Sequence, residues 1–220
     1  STNETLDLEM KRENVIYPSV SHKMLEGDIN YIKISSFEEL TYDQFKEALD
    51  EGTKANAEGL IIDLRDNTGG LLDVTVQIVD ELIPEGVIVS TKDKNGKVKE
   101  MTSDDQYVDI PIVVLVNERS ASASEVLSGA LKDHNRAILV GNRTFGKGIV
   151  QTIMPLTDGS AIKVTTSQYF TPSGVCIQGE GIEPDYKVDL VPELMIKAKL
   201  EYNEDLQLQK AVEVLREQIQ

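Results

Sequence analysis

Residues 60–72 read LIIDLRDNTGGLL, and this stretch decides the fold. Leu60, Ile61 and Ile62 form a short continuous apolar run, the mark of a strand covered on both faces. Asp63–Gly70 (DLRDNTGG) is a loop. Leu72–Ile83 then carries a helical stripe at Val76, Val79 and Ile83, with Leu72 and Leu82 beside it. A buried strand, a short loop and a helix form one unit of an α/β layered core. The loop lies at the strand's carboxyl end, where open α/β sheets keep their ligand clefts.

The same signals recur outward from this stretch. Ile112–Val116 (IVVLV) and Ala137–Val140 read as two more doubly buried strands, with a helix over Ser122–Asp133 between them. Asn30–Ile34 (NYIKI) alternates like a strand. From Thr41, apolar residues at Phe45, Ala48 and Leu49 have helical spacing. Val87–Thr91 and Lys97–Met101 pair across Asn95-Gly96 as a hairpin. Ile149–Leu156 and Ala161–Gln168 form a second pair, joined through Asp158-Gly159. Thr5–Arg12 alternates as a half-buried strand. Pro192–Tyr202 and Asp205–Ile219 read as helices, the latter with Asp205 as N-cap. The expected fold class is α/β: a layered core of β-strands flanked by helices, with the C-terminal helices packed on as a cap.

Composition narrows the function. The chain has 220 residues, with 22 Lys plus Arg against 38 Asp plus Glu, a formal charge of −16. That balance argues against a nucleic-acid or anionic-membrane binder, since both need a basic face. No apolar run approaches the ~18–20 residues of a spanning helix. Ser1–Arg12 is polar and charged, unlike a signal peptide. One cysteine, Cys176, excludes an internal disulfide and iron–sulfur or zinc-ribbon sites. With His22 and His134 the only histidines, a His-rich metal site is not expected, and no cofactor is called for.

Three segments have compositions that packing does not require. Asp63–Gly70 ends in Gly69-Gly70, which permits a tight turn and leaves bare N–H groups; alone it reads first as an ordinary strand-to-helix connection. Asn117–Glu125 (NERSASASE) follows a buried strand and opens a helix. A hydroxyl at such a turn suits a nucleophile, because the helix N-terminus favours negative charge beside it; Ser122 or Ser124 also reads as a simple helix cap. Gly141–Gln151 (GNRTFGKGIVQ) contains Gly-x-x-x-x-Gly-Lys, the start of a phosphate-binding loop. That motif needs Ser or Thr where Gly148 stands, and a helix where β-branched residues follow. Lys147 between two glycines offers another role. A desolvated lysine loses its proton more readily, and Ser-Lys is an attested variant of the Ser-His-Asp arrangement. A lone lysine in a surface turn is the plainer alternative.

Together these segments resemble the carboxyl-terminal processing peptidases, the tail-specific serine proteases of family S41. DLRDNTGGLL at Asp63–Leu72 resembles the family's DLR-x-N-x-GG-LL. SASASE at Ser120–Glu125 is similar to its nucleophile segment, and TFGKGIVQ at Thr144–Gln151 to its lysine segment. FTPSG at Phe170–Gly174 and GIEPD at Gly181–Asp185 resemble two downstream signatures. The resemblance implies a ClpP/crotonase-like core and a serine endopeptidase acting near protein carboxyl termini through an acyl-enzyme. It implies Ser122 as nucleophile, Lys147 as general base and Gln151 as the residue orienting the lysine. The oxyanion hole would come from the backbone N–H groups of Gly70 and Ala123, with Gly69 adjacent to the first. The implied partners are proteins or peptides with accessible C-terminal tails, with homo-oligomerisation left open, and the implied location is extracytoplasmic.

The family normally carries a PDZ domain ahead of its core, and only 29 residues precede Asn30 here. The expected organisation is therefore residues 1–15 as the strand that closes such a domain, 16–190 as the catalytic core and 191–220 as a C-terminal helical segment. The rival expectation is a latent relative that binds extended peptide tails by strand addition without cleaving them.

Overall fold

The computed structural model describes residues 9–12, 17–26, 28–190 and 200–219. Five parallel strands form most of a six-stranded sheet: β2 (Ile29–Ile34), β3 (Gly59–Asp63), β6 (Ile112–Val116), β7 (Ala137–Gly141) and the short β10 (Tyr186–Lys187). β1 (Val20–Leu25) pairs antiparallel with β2, giving the order β1-β2-β3-β6-β7-β10. A second sheet is antiparallel throughout. It contains β4 (Gly86–Asp93), β5 (Val98–Ser103), β8 (Ile149–Pro155) and β9 (Ala161–Phe170), in the order β5-β4-β9-β8.

The continuous apolar runs divide between two cores by the two-residue period of a strand. Leu60, Ile62, Val114 and Val116 face a core shared with α1 (Thr41–Lys54), α2 (Leu72–Asp80) and α3 (Ala123–Asp133). Ile61, Val113 and Leu115 face the opposite side and meet Leu208, Ala211, Val212 and Leu215 of α4 (Leu206–Ile219). A doubly buried sheet therefore sits between helices, as its sequence required.

The parallel ladder sets up the site. β3, β6 and β7 are neighbours in the sheet. Their carboxyl ends lie at one edge, and so do the three segments that follow them. Leu64 N–H donates to Leu115 O and Asn142 N–H to Val116 O, which binds the segments together at their roots.

A buried ion cluster fixes α4 to this edge. Arg65 forms paired hydrogen bonds to Asp63 and to Asp205, all within 3.0 Å, and Tyr31 OH donates to Asp63. Burial alone would raise the Asp63 carboxyl, but the Arg65 charge and hydrogen bonds outweigh it and hold it below the usual carboxylate range. Asp205 also accepts from Leu208 N–H at 3.0 Å, so it caps α4 as its sequence position suggested.

Several boundaries differ from the sequence expectation. α2 stops at Asp80, and Leu82 and Ile83 both donate to Val79 O in a tightened last turn. Pro84 follows, and the residues before a proline are pushed out of the helical region. β1 and β10 are additional strands. The Thr5–Arg12 strand lies largely outside the described residues, and residues 9–12 have no regular structure. The Pro192–Tyr202 helix also lies largely outside them, so one C-terminal helix, α4, is described. Residues 149–155 form strand β8, not the helix that a phosphate-binding loop would need.

Candidate active site

The three alternating serines of SASAS have different fates. Ser120 and Ser124 are fully buried. Ser120 Oγ donates to Leu64 O at 2.8 Å and accepts from Asn117 N–H, while Ser124 Oγ donates to Asn67 O at 2.9 Å. Both hydroxyls thus pin the start of α3 to the DLRDNTGG loop. Ser122 lies between them, half-buried, as the N-cap residue of α3. Its hydroxyl is the one not consumed in holding loop to helix.

Ser122 also has φ 57° and ψ −114°. The other non-glycine residues with positive φ among those described are Asp28, Asn56, Asp66 and Asn135, residue types that tolerate it. A serine held so costs on the order of 1–3 kcal/mol and persists only where its surroundings dictate it. Here Ala121 N–H donates to Asn67 O on one side and Ser122 N–H to Glu125 on the other.

Glu125 organises the site, and its role was not read from the sequence. Its side chain is fully buried. Oε2 accepts from Ser122 N–H at 2.9 Å and from Lys147 N–H at 2.8 Å. Oε1 accepts from Gly146 N–H at 2.7 Å and from Thr144 Oγ1 at 2.6 Å. A carboxylate has about four acceptor positions, and these four bonds fill them. One oxygen therefore joins the backbones of Ser122 and Lys147. The available signal was Glu125 three residues after Ser122, the spacing of a capping box.

Gly69 and Gly70 separate cleanly. Gly69 N–H donates to Asn67 Oδ1 at 2.8 Å. Among the described residues, neither Gly70 N–H nor Ala123 N–H donates to a protein acceptor. At Gly70, with φ 151°, an added Cβ would fall 2.1 Å from Phe37 O. Leu71 N–H donates to that same carbonyl at 2.7 Å, which fixes the approach. No residue but glycine fits there.

Lys147 is half-buried. Its neighbours are tied down: Gly148 N–H donates to Gln178 Oε1, and Gly148 O accepts from Tyr169 N–H. Its Nζ makes no hydrogen bond or ion pair among the described residues. Ser122 Oγ instead meets Tyr169 OH at 2.8 Å. Gln151 lies exposed on edge strand β8, opposite Thr165 and beside a register shift. No hydrogen bond joins it to Lys147. The structure thus gathers Ser122, Ala123, Gly70 and the Lys147 backbone, and leaves the Lys147 and Gln151 side chains unengaged.

The downstream motifs are braces. Ile182 N–H donates to Thr144 Oγ1, Gly179 N–H to Gly146 O, and Leu139 N–H to Asp185 Oδ2. The first two tie the TFGKG segment to residues 179–182, and the third ties β7 to the GIEPD motif. His134 is the C-cap residue of α3, its Nε2 bonded to Val87 O, and His22 pairs with Glu51 on the surface.

A model of peptidase family S41 matches residues 28–188, most of the chain. The chain belongs to peptidase family S41. The family's sequence relatives include the carboxy-terminal-processing protease of Bartonella bacilliformis, 39% identical over 85% of this chain and 44% of that protein. They also include a "Probable CtpA-like serine protease" of Staphylococcus aureus, 42% identical over 85% of this chain and 38% of that protein. The S41 fold is matched in the photosystem II D1 C-terminal processing protease, with a TM-score of 0.73 and 35% identity over 82% of this chain and 51% of that one. The chain spans less than half the length of the two sequence relatives.

Proposed function

We propose that the chain is a serine endopeptidase that cleaves proteins near their carboxyl termini, with Ser122 as nucleophile and Lys147 as general base. The observation that carries this reading is the surroundings of Ser122. It is the unstapled hydroxyl of SASAS, on a strained turn at a helix N-terminus, with the Lys147 backbone on the same Glu125 oxygen.

In the proposed reaction the amine form of Lys147 takes the Ser122 proton as Oγ bonds to the scissile carbonyl carbon. The carbonyl oxygen gains the charge and is met by the Gly70 and Ala123 N–H groups. The C–N bond then breaks, and the lysine proton passes to the leaving amine. Water attacks the acyl-enzyme, gives a proton to Lys147 and displaces Ser122 Oγ, which recovers its proton. Gln151 would orient the lysine once substrate draws β8 inward. We assign residues 16–190 to the catalytic core, 191–220 to a C-terminal helical segment and 1–15 to the strand closing a preceding PDZ domain. An extracytoplasmic location fits this reading.

One observation favours a second reading, binding of peptide tails without cleavage: no hydrogen bond joins Lys147 Nζ to Ser122 Oγ. The test is incubation with a peptide bearing an apolar carboxyl tail, beside Ser122→Ala and Lys147→Ala. Cleavage by the wild type alone supports the peptidase. Equal cleavage by all three overturns it, and tail binding with no cleavage by any favours the second reading.

A further inference from the structure

Tyr169 stands one residue before the FTPSG motif, and neither composition nor motif assigned it a role. It is 5% exposed, and its ring belongs to the same apolar cluster as Ile88, Val126 and Ile177. Its backbone N–H holds Gly148, the residue after Lys147, while its hydroxyl lies 2.8 Å from Ser122 Oγ. Tyr169 therefore touches both sides of the site at once.

The direction of that hydrogen bond follows from counting protons. Two hydroxyls share one contact, so one of the two protons must point elsewhere. Among the described residues the phenol's one partner is Ser122, and the capping-box contact of Ser122 with the Glu125 backbone uses its hydroxyl as an acceptor only. Ser122 is half-buried, and its proton can meet solvent or an approaching amine. Tyr169 is almost wholly buried, and a buried donor left unpaired costs about 1–3 kcal/mol. Burial also raises the phenol's pKa, which keeps it a donor. Tyr169 therefore donates, Ser122 Oγ accepts, and the serine proton is left free.

Resting on the reading of Ser122 as nucleophile, we propose that Tyr169 is a further catalytic residue whose hydroxyl donates to Ser122 Oγ, fixes its rotamer and stabilises it as its proton departs. A hydrogen bond to an oxygen gaining negative charge is stronger than one to a neutral hydroxyl. The contact thus helps the transition state more than the resting enzyme. Tyr169 is one element, beside Glu125, that ties Ser122 to the backbone around Lys147.

The test is the rate at which a fluorophosphonate labels the chain. In that reaction the Ser122 Oγ–P bond forms, the P–F bond breaks with loss of fluoride, and the serine proton passes to the base. Tyr169→Phe is expected to label about 10- to 100-fold more slowly, with its melting temperature held and kcat for peptide cleavage reduced at unchanged KM. Should Phe disturb the packing, 3-fluorotyrosine placed at position 169 alone keeps ring and hydroxyl and is expected to label faster than wild type. Labelling of Tyr169→Phe at or above the wild-type rate, or a change in KM alone, overturns the proposal; a faster rate would mark the contact as a latch. A wild type that labels no better than Ser122→Ala overturns the reading of Ser122 itself, a distinct outcome.

Discussion

Ser122 and Lys147 share one carboxylate oxygen at the backbone, yet their side chains live in different surroundings. On the nucleophile side, Asn67, Ser120, Ser124 and Glu125 are buried, each bonded across elements, and together they impose one strained conformation. On the base side, Nζ of Lys147 has no partner. The chain continues into β8, an edge strand whose Ile153 and Met154 are exposed along with Ile162 of β9. Preorganised catalytic groups need no reordering at the moment of reaction. Ser122 and the N–H groups of Gly70 and Ala123 are already held in place in the free chain, and the Lys147 side chain is not. On the proposed reading, control of activity would act on the Lys147 side.

The largest expected effects come from the two groups proposed to react. Ser122→Ala and Lys147→Ala should each lower kcat/KM by at least about 10³-fold, and the double variant little further, since groups acting as a unit are non-additive. Additive losses would separate the two residues and break the pairing.

Next is the support beneath the nucleophile side. Removing Arg65 leaves Asp63 and Asp205 buried without their partner, so Arg65→Met should cost about 3–5 kcal/mol at pH 7 in denaturant unfolding. The sign with pH follows from Asp63, whose folded value is depressed. Its contribution is present above the unfolded value of about 4 and is lost as pH falls through the lower folded value. The gap between wild type and variant should therefore narrow below about pH 4. A gap that widens on acidification would contradict the assignment.

Glu125→Gln is a smaller change that strikes both sides. An amide NH₂ then faces backbone N–H groups that need an acceptor, with an expected cost of about 1–3 kcal/mol. Peptide cleavage should fall about 10- to 100-fold. If only one of Ser122 and Lys147 depends on Glu125, labelling by a fluorophosphonate and cleavage will fall by different factors, which sharpens the comparison.

Gln151→Ala should have the smallest effect on stability, within about 0.5 kcal/mol, as an exposed residue without partners. A larger loss would mean that its side chain is engaged in solution. A loss of cleavage at unchanged stability would support the lysine-orienting role.

Much of this arrangement was legible in the sequence because its signals were local. The LII and IVVLV runs announced doubly buried strands, Gly69-Gly70 announced a backbone no other residue can follow, and SASAS marked the turn. What was not legible depends on distant pairs. Arg65 and Asp205 are 140 positions apart, and nothing near Arg65 names its second partner. Glu125 reads as one half of a helix cap until Thr144, Gly146 and Lys147 fold onto it. Tyr169 reads as an ordinary strand aromatic. β1 carries Ser21, His22 and Lys23 at its centre, so an exposed edge strand gives no apolar alternation.

The most direct test of the central claim is to map a fluorophosphonate adduct by peptide mass spectrometry in the wild type and in Lys147→Ala. A single adduct on Ser122 that nearly disappears in Lys147→Ala is expected. An adduct on Ser120 or Ser124, or one on Ser122 of equal extent without Lys147, would contradict it.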